Sequence, residues 1–165
     1  MNYASILKCD IANGTGFRTS LFVSGCSRKC PGCFNQSAQD PSYGKLFDDK
    51  AKAKLFKELS HEYCQGFSLL GGDPMSKLSD IRPTVIALCK EVKERFLDKD
   101  IWMWTGYLFE EIQSDADTKE VLQYIDVMVD GPFVEELKDI TLRFRGSSNQ
   151  RILDRAAIKR IISGA

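Results

Sequence analysis

Short apolar runs that end in glycine alternate along this chain with longer stretches of helical periodicity, and that alternation limits the folds open to it. Thr19 to Ser24 reads as a buried strand stopped by Gly25, and Phe67 to Leu70 as a second, closed by Gly71-Gly72-Asp73-Pro74. Ile101 to Trp104 is a third, ending at Thr105-Gly106, and Ile125 to Val129 a fourth, ending at Asp130-Gly131-Pro132. Between the first two, Leu55, Phe56, Leu59 and Tyr63 mark an amphipathic helix within Asp48 to Cys64. Leu78, Ile81, Val85, Leu88, Cys89, Val92 and Phe96 keep three- and four-residue steps through a helix from Ser76 to Phe96, with Pro83 marking a restarted first turn. Tyr107 to about Tyr124 reads as helical, Leu142 to Phe144 as a short strand and Asp154 to Ile162 as a last helix.

Strands that alternate with helices build parallel βα units joined by right-handed crossovers. A closed eight-unit barrel takes about 250 residues, and this chain has 165. The expectation is an α/β fold: an incomplete, TIM-like βα barrel of about four to six parallel units, open on one side. It forms a single domain over residues 1–165 that includes an irregular loop at 25–47 and a C-terminal polar loop and helix at 143–163. In such folds the site lies at the carboxyl ends of the strands, where every unusual motif of this chain falls.

With 43% hydrophobic and 28% charged residues the chain can bury a core, which excludes a disordered class. Its 23 basic and 23 acidic residues cancel, which argues against nucleic acid as a partner. No stretch approaches the roughly 20 apolar residues that span a bilayer, and the first residues lack the basic start and apolar run of a secretory signal. The expected location is therefore cytoplasmic, with no membrane partner. Thiols stay reduced there, so six cysteines read as metal or redox chemistry plus core thiols.

Cys26, Cys30 and Cys33 stand within one short segment that also contains Pro31 and Gly32, which oppose a continuous helix. A loop that curls its sulfurs inward follows. Clustered thiolates need positive charge among them, from iron, zinc or nearby cations. A structural zinc site wants four closed ligands, yet Cys9, Cys64, Cys89 and His61 are isolated, Cys89 on an apolar stripe and His61 among surface charges. Three thiolates leave one metal position open, as a catalytic site does.

Gly71-Gly72-Asp73-Pro74 can be an ordinary turn or a place where backbone approaches a ligand, with Asp73 suited to a cationic amine. It lacks the glycine spacing of a dinucleotide or Walker loop. Trp102 and Trp104 share one side of their strand and read as core packing. Asp130 lies at a strand's carboxyl end and is the better site candidate of the pair Asp126 and Asp130. The run Arg143 to Gln150 is either a solvated loop or a set of donors for an anion or carboxylate.

Cys-x3-Cys-x2-Cys after the first strand and Gly-Gly-Asp-Pro after a later one resemble the radical S-adenosylmethionine superfamily. Asp10, Asn13-Gly14, Gly16, Arg18, Ser20 to Cys26, Cys33-Phe34-Asn35, Trp104 to Tyr107, Val129 to Gly131 and Arg145 to Gln150 follow in order. Over about Asp10 to Gln150 they are similar to the glycyl-radical-enzyme activating family, in particular the branch that activates anaerobic ribonucleoside-triphosphate reductase. The resemblance implies that Cys26, Cys30 and Cys33 each bind one iron of a [4Fe-4S] cluster whose fourth iron chelates S-adenosyl-L-methionine. Gly71, Gly72 and Asp73 would receive the methionine amine; Gly32, Cys33, Phe34, Thr105 and Asp130 would lie against the cofactor. Many superfamily members carry an aromatic residue where this chain has Gly32, which leaves the adenine's packing partner open. The implied chemistry needs no catalytic side chain beyond cluster and cofactor. The implied partners are the reductase's large subunit and an electron donor such as flavodoxin or ferredoxin. Two alternatives stand beside this reading: an activator of another glycyl-radical enzyme such as pyruvate formate-lyase, which the short chain disfavours, and a non-catalytic metal-stabilised binding module.

Overall fold

A computed structural model of the chain describes residues 1–78 and 80–164. Its strands are β1 (Asn2–Asp10), β2 (Arg18–Val23), β3 (Lys45–Leu46), β4 (Gly66–Gly71), β5 (Asp100–Trp104), β6 (Val127–Asp130) and β7 (Arg151–Asp154). They form one seven-stranded sheet in the order β3-β1-β2-β4-β5-β6-β7. The four inner strands β2, β4, β5 and β6 run parallel, in sequence order. Both flanks are antiparallel. The helices are α1 (Asp49–Leu59), α2 (Ile81–Arg95), α3 (Phe109–Ser114) and α4 (Arg155–Ser163).

The parallel centre agrees with the periodicity, whereas the flanks depart from it. β1 is half-exposed along most of its length and shows no clean alternation. β7 has four residues, and β3 has two on the surface. The strand expected at Leu142 to Phe144 is absent; Phe144 adopts a left-handed φ of 61° and the chain turns there. The expected helix from Tyr107 to Tyr124 breaks at Asp115, whose extended backbone ends α3 and whose carboxylate accepts the Asp117 amide at 2.9 Å. A 3-10 turn at Lys119–Gln123 completes that segment. α1 stops at Leu59, before the expected Cys64, where the Ser60 amide closes the last turn onto Phe56 and Lys57. The helix expected from Ser76 runs through Ser79, which lies outside the described residues, and α2 begins at Ile81. Pro83 is the third residue of that helix, where its missing N–H deprives no intrahelical bond.

The core shows how the layers are arranged. Leu21 and Val23 of β2, Phe67 and Leu69 of β4, Ile101 and Met103 of β5, Met128 of β6 and Leu153 of β7 join one buried cluster. Residues of all four helices, among them Leu55, Val85, Cys89, Phe109 and Ile158, complete it. Each strand contributes alternate residues, so the helices cover one face of the sheet. Burying each large aliphatic side chain there stabilises the fold by about 1.5–3 kcal/mol. Ser20, Ser68, Trp102 and Trp104 belong to the other face. At its amino-terminal end lies the fully buried Arg18, whose Nε donates to Ser68 Oγ at 2.6 Å and whose Nη1 pairs with Asp100 Oδ1 at 2.7 Å. At the carboxyl end of the same sheet the loops enclose a cavity.

Candidate functional site

The loop after β2 carries the three cysteines, and its path depends on glycine. Gly25 has φ 109°, and a Cβ there would lie 2.7 Å from Ile81 Cδ1. Its amide donates to the Ala38 carbonyl at 2.7 Å, and the Cys26 amide donates to the Gln39 carbonyl at 3.0 Å, which closes the cysteine loop on itself. Lys29 takes a left-handed φ of 48° and the Cys33 amide donates to the Cys30 carbonyl at 3.3 Å. The segment is thus the expected curled loop. Cys26 is buried, Cys30 and Cys33 are half-buried, and all six cysteines are free thiols.

These three cysteines line one cavity of about 330 Å³. Burial pushes the Cys26 thiol up, and the nearby Asp73 carboxylate adds to that effect. Among the described residues, no group of three His, Cys, Asp or Glu is gathered tightly enough to cage a single metal ion. The donor set fits a larger thiophilic group: three sulfurs from one loop that border shared space.

The Gly-Gly-Asp-Pro segment forms the next wall. A Cβ on Gly72 would come within 2.5 Å of both the Ala38 and Gly25 carbonyl oxygens. The Gly72 amide donates to the Val23 carbonyl at 2.7 Å and the Asp73 amide to the Gly25 carbonyl at 2.9 Å. The glycine pair therefore lets two loops meet backbone to backbone, beyond the ordinary turn that its composition allowed. Asp73 is buried, with one carboxylate oxygen taking the Met75 amide and the Thr105 hydroxyl, both at 2.8 Å, and the other the Gly106 amide at 2.9 Å. Burial raises its pKa, against the lowering effect of those donors and of Arg28.

Of the other expected site residues, Thr105 and Phe34 border the cavity, Thr105 buried and Phe34 92% exposed at the mouth. Gly32 lies outside the lining and packs beside Glu135, whose Cδ would be 2.5 Å from an added Cβ. Asp130 is also outside it: its carboxylate takes the Phe109 amide at 2.7 Å and an ion pair from Arg151. Asp130 thus starts α3 and holds β7, a partnership that no local pattern reveals. Trp104, read as core, lines the cavity; it stacks on Trp102 with ring centroids 5.7 Å apart and donates from Nε1 to the Phe144 carbonyl at 2.6 Å. From the polar run Arg143 to Gln150, Arg145 and Gln150 reach the same cavity and are joined by an Arg145 Nη1 bond of 2.6 Å to the Gln150 carbonyl. Asn13 and Arg28 line it as well; Asn13 is marked in the sequence only by its place in the ordered motifs, and Arg28 only by standing between Cys26 and Cys30. His61 stacks on Tyr63 at the surface, and Cys89 is fully buried, where burial pushes its thiol far up.

Comparison with known proteins agrees with this geometry. A family model described as a 4Fe-4S single cluster domain matches residues 12–153. The anaerobic ribonucleoside-triphosphate reductase-activating protein of Enterobacteria phage T4 is 44% identical, over 92% of this chain and 93% of its own. The protein of the same description from Haemophilus influenzae is 42% identical over 92% and 97% of the two chains, and that from Escherichia coli K12 41% over 91% and 96%.

Proposed function

Because the chain belongs to the family of anaerobic ribonucleoside-triphosphate reductase-activating proteins, with their 4Fe-4S single cluster domain, we propose that it activates such a reductase by generating a glycyl radical on the large subunit. Cys26, Cys30 and Cys33 would hold three irons of a [4Fe-4S] cluster, leaving the fourth for the amino and carboxylate groups of S-adenosyl-L-methionine. When bound there, the cluster and S-adenosyl-L-methionine would supply one-electron reductive cleavage of the sulfonium and, through it, removal of a hydrogen atom from the glycine. The observation that carries this reading is that three cysteines of one loop and the Asp73–Thr105–Gly106 clamp border a single cavity.

The chain's own residues bind, orient and shield. Asp73 presents a buried negative charge that a cationic amine would compensate, in a wall of half-buried Gly71 and Gly72 backbone. Trp104 and Phe144 supply apolar surface that would keep water from a reactive species, and Phe34 offers an apolar face at the mouth. We read the sheet as part of an incomplete barrel, since helices cover one face and the cavity opens on the other. Such an opening suits the entry of another protein's loop. The reducing, cytoplasmic setting expected from the thiols suits an electron donor such as flavodoxin or ferredoxin.

The test mixes reduced, iron-reconstituted protein, S-adenosyl-L-methionine and the reductase under anaerobic conditions. A glycyl-radical EPR signal on the large subunit is expected. Reconstitution that yields only a four-coordinate zinc protein with no reducible iron cluster would overturn the reading. A signal with pyruvate formate-lyase and none with the reductase would move the target to that enzyme.

A further inference from the structure

Four loops gather at the carboxyl end of the sheet, and one residue is tied to all of them, through its side chain, its backbone and a neighbouring arginine. Tyr107, nearly buried, follows β5. Its hydroxyl shares a hydrogen bond of 2.7 Å with Ser27 Oγ, next in sequence to Cys26. The Arg28 guanidinium lies over its ring, 4.1 Å from the centroid, and is ion-paired with Glu111 of α3. A second guanidinium, that of Arg82, lies 5.4 Å from the same centroid while its Nε donates to the Met75 carbonyl at 2.7 Å, in the loop after β4. The Tyr107 amide donates to Thr105 Oγ1 at 3.2 Å, and that hydroxyl donates to Asp73. The Tyr107 carbonyl accepts the Gly131 amide, after β6, at 3.1 Å.

We infer that Tyr107 is a positioning residue: its hydroxyl and ring set the Cys26–Arg28 segment at a fixed distance from the Asp73 clamp. The inference rests on the proposed function for what that spacing serves, namely a cluster on one side and the cofactor's amine on the other. It does not rest on it for the mechanical claim. Arg28 supports the assignment, because its Nε is buried and has no hydrogen-bond partner among the described residues. Stacking on Tyr107 and pairing with Glu111 therefore hold this guanidinium in the cavity wall. Ser27 has a second tie, since its amide donates to Ser76 Oγ at 3.1 Å, so removing the Tyr107 hydroxyl loosens the loop without releasing it.

The test uses Tyr107→Phe, which deletes only the hydroxyl, and Tyr107→Leu, which also deletes the stack. In the metal-free protein, the rate of iodoacetamide labelling is read for each cysteine by mass spectrometry. The Phe variant is expected to label Cys26 about fivefold faster, the effect of one lost hydrogen bond, with the buried Cys64 and Cys89 as slow as in the parent. The Leu variant should show a larger change at Cys26. Equal rates at Cys26 in parent and Phe variant would overturn the inference, as would acceleration of all three cysteines, which marks general loosening. After reconstitution, the Phe variant should retain the parent's iron content and need about tenfold more S-adenosyl-L-methionine to alter the reduced cluster's EPR signal. A parent that binds no cluster would sink the proposed function, while the labelling result would still decide the role of Tyr107.

Discussion

The Thr105 hydroxyl donates to the buried Asp73 carboxylate at 2.8 Å, 32 residues away in sequence, and so joins the loops that follow β4 and β5. With the amides of Met75 and Gly106 it makes Asp73 the joint between two loops as well as the negative wall of the cavity. Asp73→Asn keeps the volume, removes the charge and forces an amide N–H towards a donor. We expect it to lower stability by about 1–3 kcal/mol in urea denaturation and to weaken S-adenosyl-L-methionine binding more than it weakens cluster assembly. Equal loss of both would show that the loop is structural alone.

Gly72→Ala places a methyl group 2.5 Å from two backbone oxygens, neither of which is the end of a flexible side chain. The cysteine loop would have to move away from β4. The variant should lose iron on reconstitution, measured by iron content per chain. Gly146→Ala is the comparison, because the nearest atoms to its added Cβ are side-chain atoms, the Phe133 ring at 3.1 Å and Gln150 Oε1 at 3.7 Å, and it should keep its iron.

Cys30→Ala and Cys89→Ala separate a half-exposed thiol in the cavity from a fully buried core thiol. Cys30→Ala should abolish the iron-sulfur absorption while the metal-free protein keeps its thermal midpoint. Cys89→Ala should keep the cluster and lower stability by about 1 kcal/mol through the cavity it leaves.

Burial raises the Asp10 carboxyl, yet hydrogen bonds from Ser20, Asn13 and nearby amides outweigh it and hold its pKa below 3.8. A depressed folded value means that Asp10 stabilises the fold above pH 3.8 and loses that contribution as pH falls through the lower folded value. Asp10→Asn should therefore be less stable than the parent by about 1–3 kcal/mol at pH 7, with the gap closing below pH 3.8. A gap that persists unchanged at the lowest pH would mean that shape, not charge, makes the contribution.

Asp130 has no exposed surface and is paired with Arg151, whose guanidinium also bridges to Glu110 at 2.8 Å. Those two carboxylates hold the Arg151 proton more firmly than usual, Asp130 foremost. Arg151→Met would leave a buried carboxylate without its cation and should cost about 3 kcal/mol. Adding Asp130→Asn should restore part of the loss, which a double-mutant cycle in urea measures.

The amino-acid sequence by itself determined the parallel βα centre, the open three-cysteine loop and its neighbour at Asp73, and the core place of Cys89. These features are written in spacings of two to four residues, where backbone geometry and side-chain chemistry act locally. Only the tertiary structure decided what depends on partners far along the chain. The antiparallel flanks are such a case, because β1, β3 and β7 gain their strand character from the neighbours they bond rather than from an apolar period of their own. Asp130 is another: its strand-end position looks like a site, but Arg151 lies 21 residues away in sequence and draws the carboxylate aside. Gly72 shows the same limit, since Gly-Gly-Asp-Pro allows both a turn and a close approach until the carbonyls of Gly25 and Ala38 stand beside it. Long-range hydrogen bonds and steric contacts choose among locally equivalent conformations, and it is they that bring Arg28 and Trp104 to the cavity and set Tyr107 against Arg28.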